Sequence, residues 1–470
     1  MKVINILAIV IFSVIISSCG NNDKMKPADA IFTGKIVGAE NQKLFIRKET
    51  VNQINLDTID VKADGTFTYS SFLENPSYFT FFVGRNQVLL YLKPGDSLNF
   101  DATAEIVSDG KFSGSSVVYN DYLARYTKSQ MQFSDIMEGI FTQSETVAVR
   151  SIDSLRNSQN NLLSELEKNM EKVDKGFVAM EKSRIQYFWG LSHIMYPLYF
   201  AYYNKVDNFK PSAQYENFLG ELNLNDSSLV ILPEYRQFIS NLVNAKVDRY
   251  YKDSTISAQY PSFVTYQLKK VDELFTDKTV KSYASYRVMK DNVLYDGVKD
   301  YDIVWPVFEK VCTDIDLIKD VEKQLAEWEH LKTGNPAKDF AGVNLKGDSI
   351  HLSDFKGKYV YVDVWATWCN PCLGEIPSLM QIEERMKKNN IVFISASVDR
   401  DKMAWQKMLK ERKLAGQQIY VGQSDLLSGF YKISGIPRFM LFDKEGKILE
   451  VSADRPTSGV DKKLLKLAGI

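Results

Sequence analysis

Histidine is scarce in this chain: His193, His330 and His351 are the only three in 470 residues. None stands at ligand spacing from another histidine or from a cysteine, which argues against a zinc site, since that needs three or four such ligands. Cysteine is also scarce. The four present, Cys19, Cys312, Cys369 and Cys372, are too few for a disulfide-stapled scaffold in a chain this long. Neither sign of charge is in excess, with 58 Lys and Arg against 59 Asp and Glu. Nothing therefore suggests a nucleic-acid partner held through its phosphates. No fixed-period repeat and no low-complexity tract is visible. The apolar run over residues 3–16 is too short for a comfortable membrane span.

What is present is enough apolar and aromatic material for two or three globular domains. Residues 30–118 read as short strands, among them Ile31 to Val37, Lys43 to Arg47, Tyr78 to Val83 and Val88 to Leu92. Turn signals at Asp64-Gly65, Pro94-Gly95-Asp96 and Asp109-Gly110 separate them, which predicts an antiparallel β sandwich or small barrel. Over residues 119–333 the period becomes helical: Ile152, Leu155, Leu162, Leu166, Met170 and Val173 recur mostly at three- and four-residue steps. Tyr187, Tyr196, Tyr199, Tyr202 and Tyr203 crowd this region and are expected to form a helical core with hydroxyls at its rim. Cys312, beside Val311 and Phe308 on an apolar helix face, is expected to be a buried inert thiol. Thr333-Gly334-Asn335-Pro336 stops the helical pattern. From 334 to 470 strands and helices alternate and end in a hairpin and a helix, which predicts a mixed sheet flanked by helices, an α/β fold.

The stretch with the most chemistry is 362-VDVWATWCNPCLGEIP-377. Cys369 falls where an apolar strand gives way to a helix, so its sulfur should face the positive end of that helix, where a thiolate is favoured. Thiols in such C-x-x-C sites titrate near about 7 or lower, down from ~8.5. Only a thiolate attacks a disulfide, which makes Cys369 the nucleophile; Cys372, one helical turn inward, is placed to resolve the mixed disulfide. Asn370 and Pro371 set the turn, and a proline costs little in a first helical turn.

The W-A-x-W strand end, the C-x-x-C and a G-I-P some 65 residues later together resemble the thioredoxin superfamily, in particular its extracytoplasmic TlpA/ResA-like branch. Ala337-Lys338-Asp339-Phe340 and Leu352 to Lys358 match that branch too, so the likeness spans about residues 336–470. The resemblance implies a thioredoxin-like fold and a protein thiol–disulfide oxidoreductase needing no cofactor beyond its own Cys369–Cys372 dithiol. By the same likeness Asp363 takes the place of the buried carboxylate that receives a proton from Cys372, and Glu375 tunes the cysteines. Ile436-Pro437 then corresponds to the cis-proline loop that offers backbone hydrogen bonds to an extended substrate. Trp368 is expected on the surface beside Cys369, where it helps dock partner proteins; Trp365 is expected in the core. The implied partners are protein disulfides and an electron-donor protein.

Residues 30–118 resemble the small β domain of unknown function that precedes thioredoxin-like modules in Bacteroidota lipoproteins, on Phe32 to Ile36, Asp57-Thr58, Asp64 to Phe67 and Leu92 to Asp96. At the N-terminus, Ile16-Ser17-Ser18-Cys19-Gly20 resembles a lipobox after a signal peptide of residues 1–18. That likeness implies lipidation at Cys19, a polar tether over residues 19–29, and a place in the cell envelope facing the periplasm, on the outer membrane. Two other functions stand beside the leading one. A thioredoxin-fold peroxidase is disfavoured because the P-x-x-x-T/S-x-x-C pattern is missing: Thr367 lies only two residues before Cys369. A binding lipoprotein with an accessory redox module is disfavoured by the intact cysteine pair.

Overall fold

The computed structural model describes residues 26–469, except 51–54, 169–172, 207–208, 248–253, 261, 298, 415 and 424–425. The signal peptide and Cys19 lie outside the described residues. The chain divides into two compact units, one of residues 1–137 with 157–174 and one of residues 138–156 with 175–470.

The first unit holds eight strands: β1 (Ala28–Val37), β2 (Lys43–Lys48), β3 (Asn55–Asp60), β4 (Thr66–Leu73), β5 (Ser77–Val83), β6 (Asn86–Leu92), β7 (Ser97–Thr103) and β8 (Lys111–Gly114). They form two four-stranded sheets, ordered β4-β1-β7-β8 and β3-β2-β5-β6. Alternating side chains from both sheets, including Phe32, Phe67, Leu44, Phe79 and Phe81, share one buried core. Period-two alternation puts these residues on the inner faces. One expectation is corrected: β1 pairs with β7 in parallel, Phe32 opposite Leu98, so the first sheet is mixed and not wholly antiparallel. Gly34 permits that pairing, because a Cβ there would lie 1.8 Å from the Phe100 carbonyl oxygen.

The strand pattern gives way to helices at α1 (Val117–Phe141) and α2 (Glu145–Lys168). The second unit continues with α3 (Lys175–Asn204), α4 (Pro233–Lys246), α5 (Ser254–Gln259), α6 (Phe263–Leu274), α7 (Lys278–Asp296), α8 (Tyr301–Val311) and α9 (Ile315–Ala326). Of the five tyrosines only Tyr187 and Tyr196 are core, with Tyr199 and Tyr203 half-buried: the Tyr187 hydroxyl donates to the Asn223 carbonyl at 2.5 Å and the Tyr196 hydroxyl to that of Gln143 at 3.0 Å. Burial pushes both phenols up to about 12. Tyr202 instead points to solvent. Cys312 is buried, but it caps the end of α8 and does not sit on its face; its thiol donates to the carbonyls of Ser282 and Asp314. Burial raises its pKa, as an inert thiol requires.

The C-terminal sheet has seven strands in the order β10-β9-β13-β12-β11-β14-β15. These are β9 (Ala341–Val343), β10 (Ser349–His351), β11 (Tyr359–Trp365), β12 (Ile391–Ser397), β13 (Gln417–Tyr420), β14 (Arg438–Phe442) and β15 (Ile448–Glu450). Three helices accompany them: α10 (Asn370–Met386), α11 (Lys402–Arg412) and α12 (Val460–Ala468). Strand β11 is central, parallel to β12 and antiparallel to β14. Every residue of β11 after Tyr359 is buried, which is why the segment reads as a continuous apolar run.

Candidate active site

The site grows from the end of β11. Side chains of Tyr361, Asp363 and Trp365 alternate onto one face of the sheet. Helix α10 covers that face: Tyr361 packs with Leu379, Ile382 and Met386, and Trp365 packs with Ile376 and both cysteines of the C-x-x-C. Trp365 is in the core, as the sequence suggests, whereas Trp368 is 67% exposed directly beside Cys369.

Cys369 is the residue that caps α10, and its Sγ accepts the Cys372 backbone N–H at 3.2 Å. Pro371 occupies the first turn, where no N–H is needed. The cysteine sulfur therefore sits at the positive end of the helix, the position that favours a thiolate. Cys369 and Cys372 are joined in a disulfide, and both are buried. The loop before them is tied down by a residue with no motif to reveal it. Asp399 is buried and accepts from the Thr367 backbone N–H at 3.1 Å and from its hydroxyl at 2.7 Å, while Ser397 donates to the same carboxylate at 2.8 Å.

Asp363 is 5% exposed. Burial raises its pKa well above the ordinary value, and the nearby carboxyls of Glu383 and Glu375 push it the same way. Glu383, which sequence reading passed over, faces it from α10. Burial moves the Glu383 carboxyl up to about 7. The two carboxyls share a cavity of about 10 Å³ with Ser395 and Gln418, a space on the scale of one water molecule. Glu383 also reaches toward the surface at Gly416, where an added Cβ would stand 2.5 Å from its Oε1.

Glu375 is buried, and both of its oxygens are engaged by Thr457: the backbone N–H donates at 3.0 Å and the hydroxyl at 2.9 Å. Arg455 stands 4.0 Å away. The Ile436–Pro437 peptide is cis. Ile436 packs on the cluster that contains Cys369 and Cys372, and Arg438, the residue after Pro437, opens β14 opposite Val364. Asp363, Cys369, Cys372, Ile436 and Pro437 are thus gathered at one end of the central strands, with Trp368 at the surface. Among the described residues no cluster of three or more His, Cys, Asp or Glu is arranged to hold a metal ion, and no helix is long and apolar enough to cross a membrane.

The Redoxin family matches residues 332–464. The thiol-disulfide oxidoreductase ResA of Bacillus cereus is 30% identical over 125 residues, which span 27% of this chain and 72% of ResA. The ResA of Bacillus subtilis is 28% identical over 123 residues, 26% of this chain and 68% of that protein. Among solved structures, the thioredoxin domain of a thiol-disulfide oxidoreductase from Bacteroides vulgatus is 34% identical; the match covers 29% of this chain and 99% of that one, with a TM-score of 0.27. A helix-capping cysteine pair over a buried carboxylate and the extent of the ResA match lead to one assignment: the chain belongs to the TlpA/ResA-like thiol-disulfide oxidoreductases.

Proposed function

We propose that the Cys369–Cys372 pair exchanges electrons with disulfides of partner proteins. The observation that carries this reading is the position of Cys369 at the head of α10, its Sγ bonded to the Cys372 N–H. In the reduced protein that N–H and the helix dipole stabilise the Cys369 thiolate. The thiolate attacks one sulfur of a substrate disulfide; the other sulfur leaves with the electron pair and takes up a proton. Cys372 then gives its proton to Asp363, whose raised pKa suits an acceptor at this stage. The Cys372 sulfur attacks Cys369 Sγ, the internal disulfide forms, and the substrate departs with both sulfurs reduced. An electron-donor protein restores the dithiol, and the redox-active disulfide serves as the only cofactor.

The finer parts of the reading follow from the sequence. Ile436 and Pro437 bind the substrate backbone, Trp368 contributes docking surface, and Glu375, held by Thr457, tunes the cysteines. Residues 334–470 form the redox domain, 119–333 a helical region, and 30–118 a β sandwich built from the two sheets that share a core. Lipidation at Cys19 anchors the chain to the outer membrane, facing the periplasm, where disulfides persist.

The test is reduction of insulin by the full chain with dithiothreitol as electron source. Turnover in the wild type, its loss in Cys369→Ser, and a trapped mixed disulfide in Cys372→Ala are expected. An inactive wild type, or full activity without Cys369, sinks the proposal; peroxide consumption in place of disulfide reduction assigns the peroxidase alternative.

A further inference from the structure

The helical region meets the redox domain through the last turn of α7. Gly297 ends that helix at φ 65, and a Cβ there would lie 2.2 Å from the Trp328 ring, so no side chain fits and the turn is fixed. On one side of the turn, Ser452 donates to Asp296 at 2.5 Å and Lys299 pairs with Asp454 at 2.8 Å. On the other, the Ser434 hydroxyl donates to the Leu294 carbonyl at 3.1 Å. A Cβ built on Gly435 would stand 3.7 Å from Tyr295 Cε1, ordinary van der Waals contact, so the tyrosine ring lies against the backbone just ahead of Ile436-Pro437. Ile436 in turn packs on the cysteine cluster. The turn is anchored at both ends, yet Leu294 and Tyr295 remain 48% and 51% exposed.

We propose that Leu294 and Tyr295 form an apolar wall of the substrate site and select an extended polypeptide segment with an apolar residue next to its disulfide. This rests on the redox reading above and adds a substrate class to it. Two large exposed apolar side chains on a helix end tied to the loop that abuts the cysteines, one of them with its ring against that loop, have the character of a recognition surface. Tyr295 is also one edge of a cavity of about 310 Å³ between α4, α6 and α7, with Val243, Phe263 and Val264 in its lining. That volume accommodates a side chain from a bound segment. Three charged side chains line the cavity and each is engaged: Arg287 pairs with Asp291 at 2.8 Å, and Asp296 accepts from the Ser452 hydroxyl. A polypeptide bound along the proline loop continues past Gly435 to the wall.

The experiment uses the full chain and two short peptides, each closed by one disulfide, with Leu beside the cysteines in one and Ser in the other. The wild type is expected to prefer the Leu peptide in kcat/KM by about tenfold, the scale on which an apolar contact discriminates. Tyr295→Ala should remove most of that preference, Leu294→Ser part of it, and Tyr295→Phe should retain it. No preference in the wild type, or a preference intact in Tyr295→Ala, overturns the proposal. So does an equal fall for both peptides in Tyr295→Ala, which would make the ring a prop for the loop. Reduction of neither peptide by the wild type is a failure of the redox reading itself, visible before any substitution is made.

Discussion

In the β-rich unit Glu49 is buried with Arg47 at 2.9 Å and the Thr80 hydroxyl at 2.7 Å, and buried Asn120 accepts from the Tyr91 N–H and donates to its carbonyl, both at 2.9 Å. In the C-terminal sheet Asp363 is buried among other carboxyls, and both it and Glu383 hold their protons far above the usual range. The first arrangement satisfies each polar group and adds structure. The second leaves a proton poised at neutral pH, at a cost in stability. The same act, burying a carboxyl, thus gives a satisfied ion pair in one region and a raised pKa in the other, and the difference lies in what faces it.

The comparison is most directly broken at the cysteines. Cys369→Ser should lower insulin reduction by at least about a thousandfold, because the nucleophile is gone. Asp363→Asn should slow turnover on the order of a hundredfold by removing the proton acceptor. The same substitution should make the protein more stable, and only above acidic pH. A carboxyl whose folded pKa is raised carries no penalty below its unfolded pKa, near 3.8, and a growing one as pH rises to the folded value. Urea unfolding at pH 4 and pH 8 checks this. All six tryptophans lie in residues 189–405, so their emission reports the second unit alone. Lower stability of Asp363→Asn at pH 8 would remove the basis for the contrast.

Glu383→Gln sharpens the same point on a smaller scale. Its carboxyl is displaced from 4.5 to about 7, so the variant should gain on the order of 3 kcal/mol above pH 7 and nothing below pH 4.5. It should also lower the Asp363 pKa, shifting the acid limb of the activity profile to lower pH. Asn120→Ala, on the scaffold side, should instead destabilise by about 1–3 kcal/mol at every pH. Hydrogen exchange at the Tyr91 amide, which loses its acceptor, reads that loss. The smallest effect is expected from Thr367→Val, which removes one of the bonds to Asp399 and should reduce turnover by about a few-fold.

Much of the site is legible in the primary structure. The positions of Cys369, Pro371, Asp363 and Trp365 follow from one strand running into one helix, because neighbours in sequence are neighbours in space there. Strands with strong alternation or continuous apolar runs, such as β5 and β11, also lie within a residue or so of where the pattern puts them. Short strands β9, β10 and β13 are missed, since three or four residues hold too little pattern to distinguish them from loop. Parallel pairing of β1 with β7 is missed for another reason: register between strands some sixty residues apart leaves no local mark. Asp399 looks like one more loop aspartate until its bonds to Thr367 are seen.

By itself, then, the sequence determined the positions: local pattern put a dithiol at a helix start, and the resemblance to the thioredoxin superfamily singled out a carboxyl two residues before a strand's end and a proline loop. Tertiary structure alone decided which groups surround that chemistry. Glu383 joins Asp363 because the packing of α10 on β11 turns that helical face inward. Tyr295 joins Gly435 because a turn between two helices is clamped onto the redox domain by Asp296, Lys299 and Ser434. Contacts across such sequence separations arise from packing and charge pairing in the assembled fold, and no short stretch of residues encodes them.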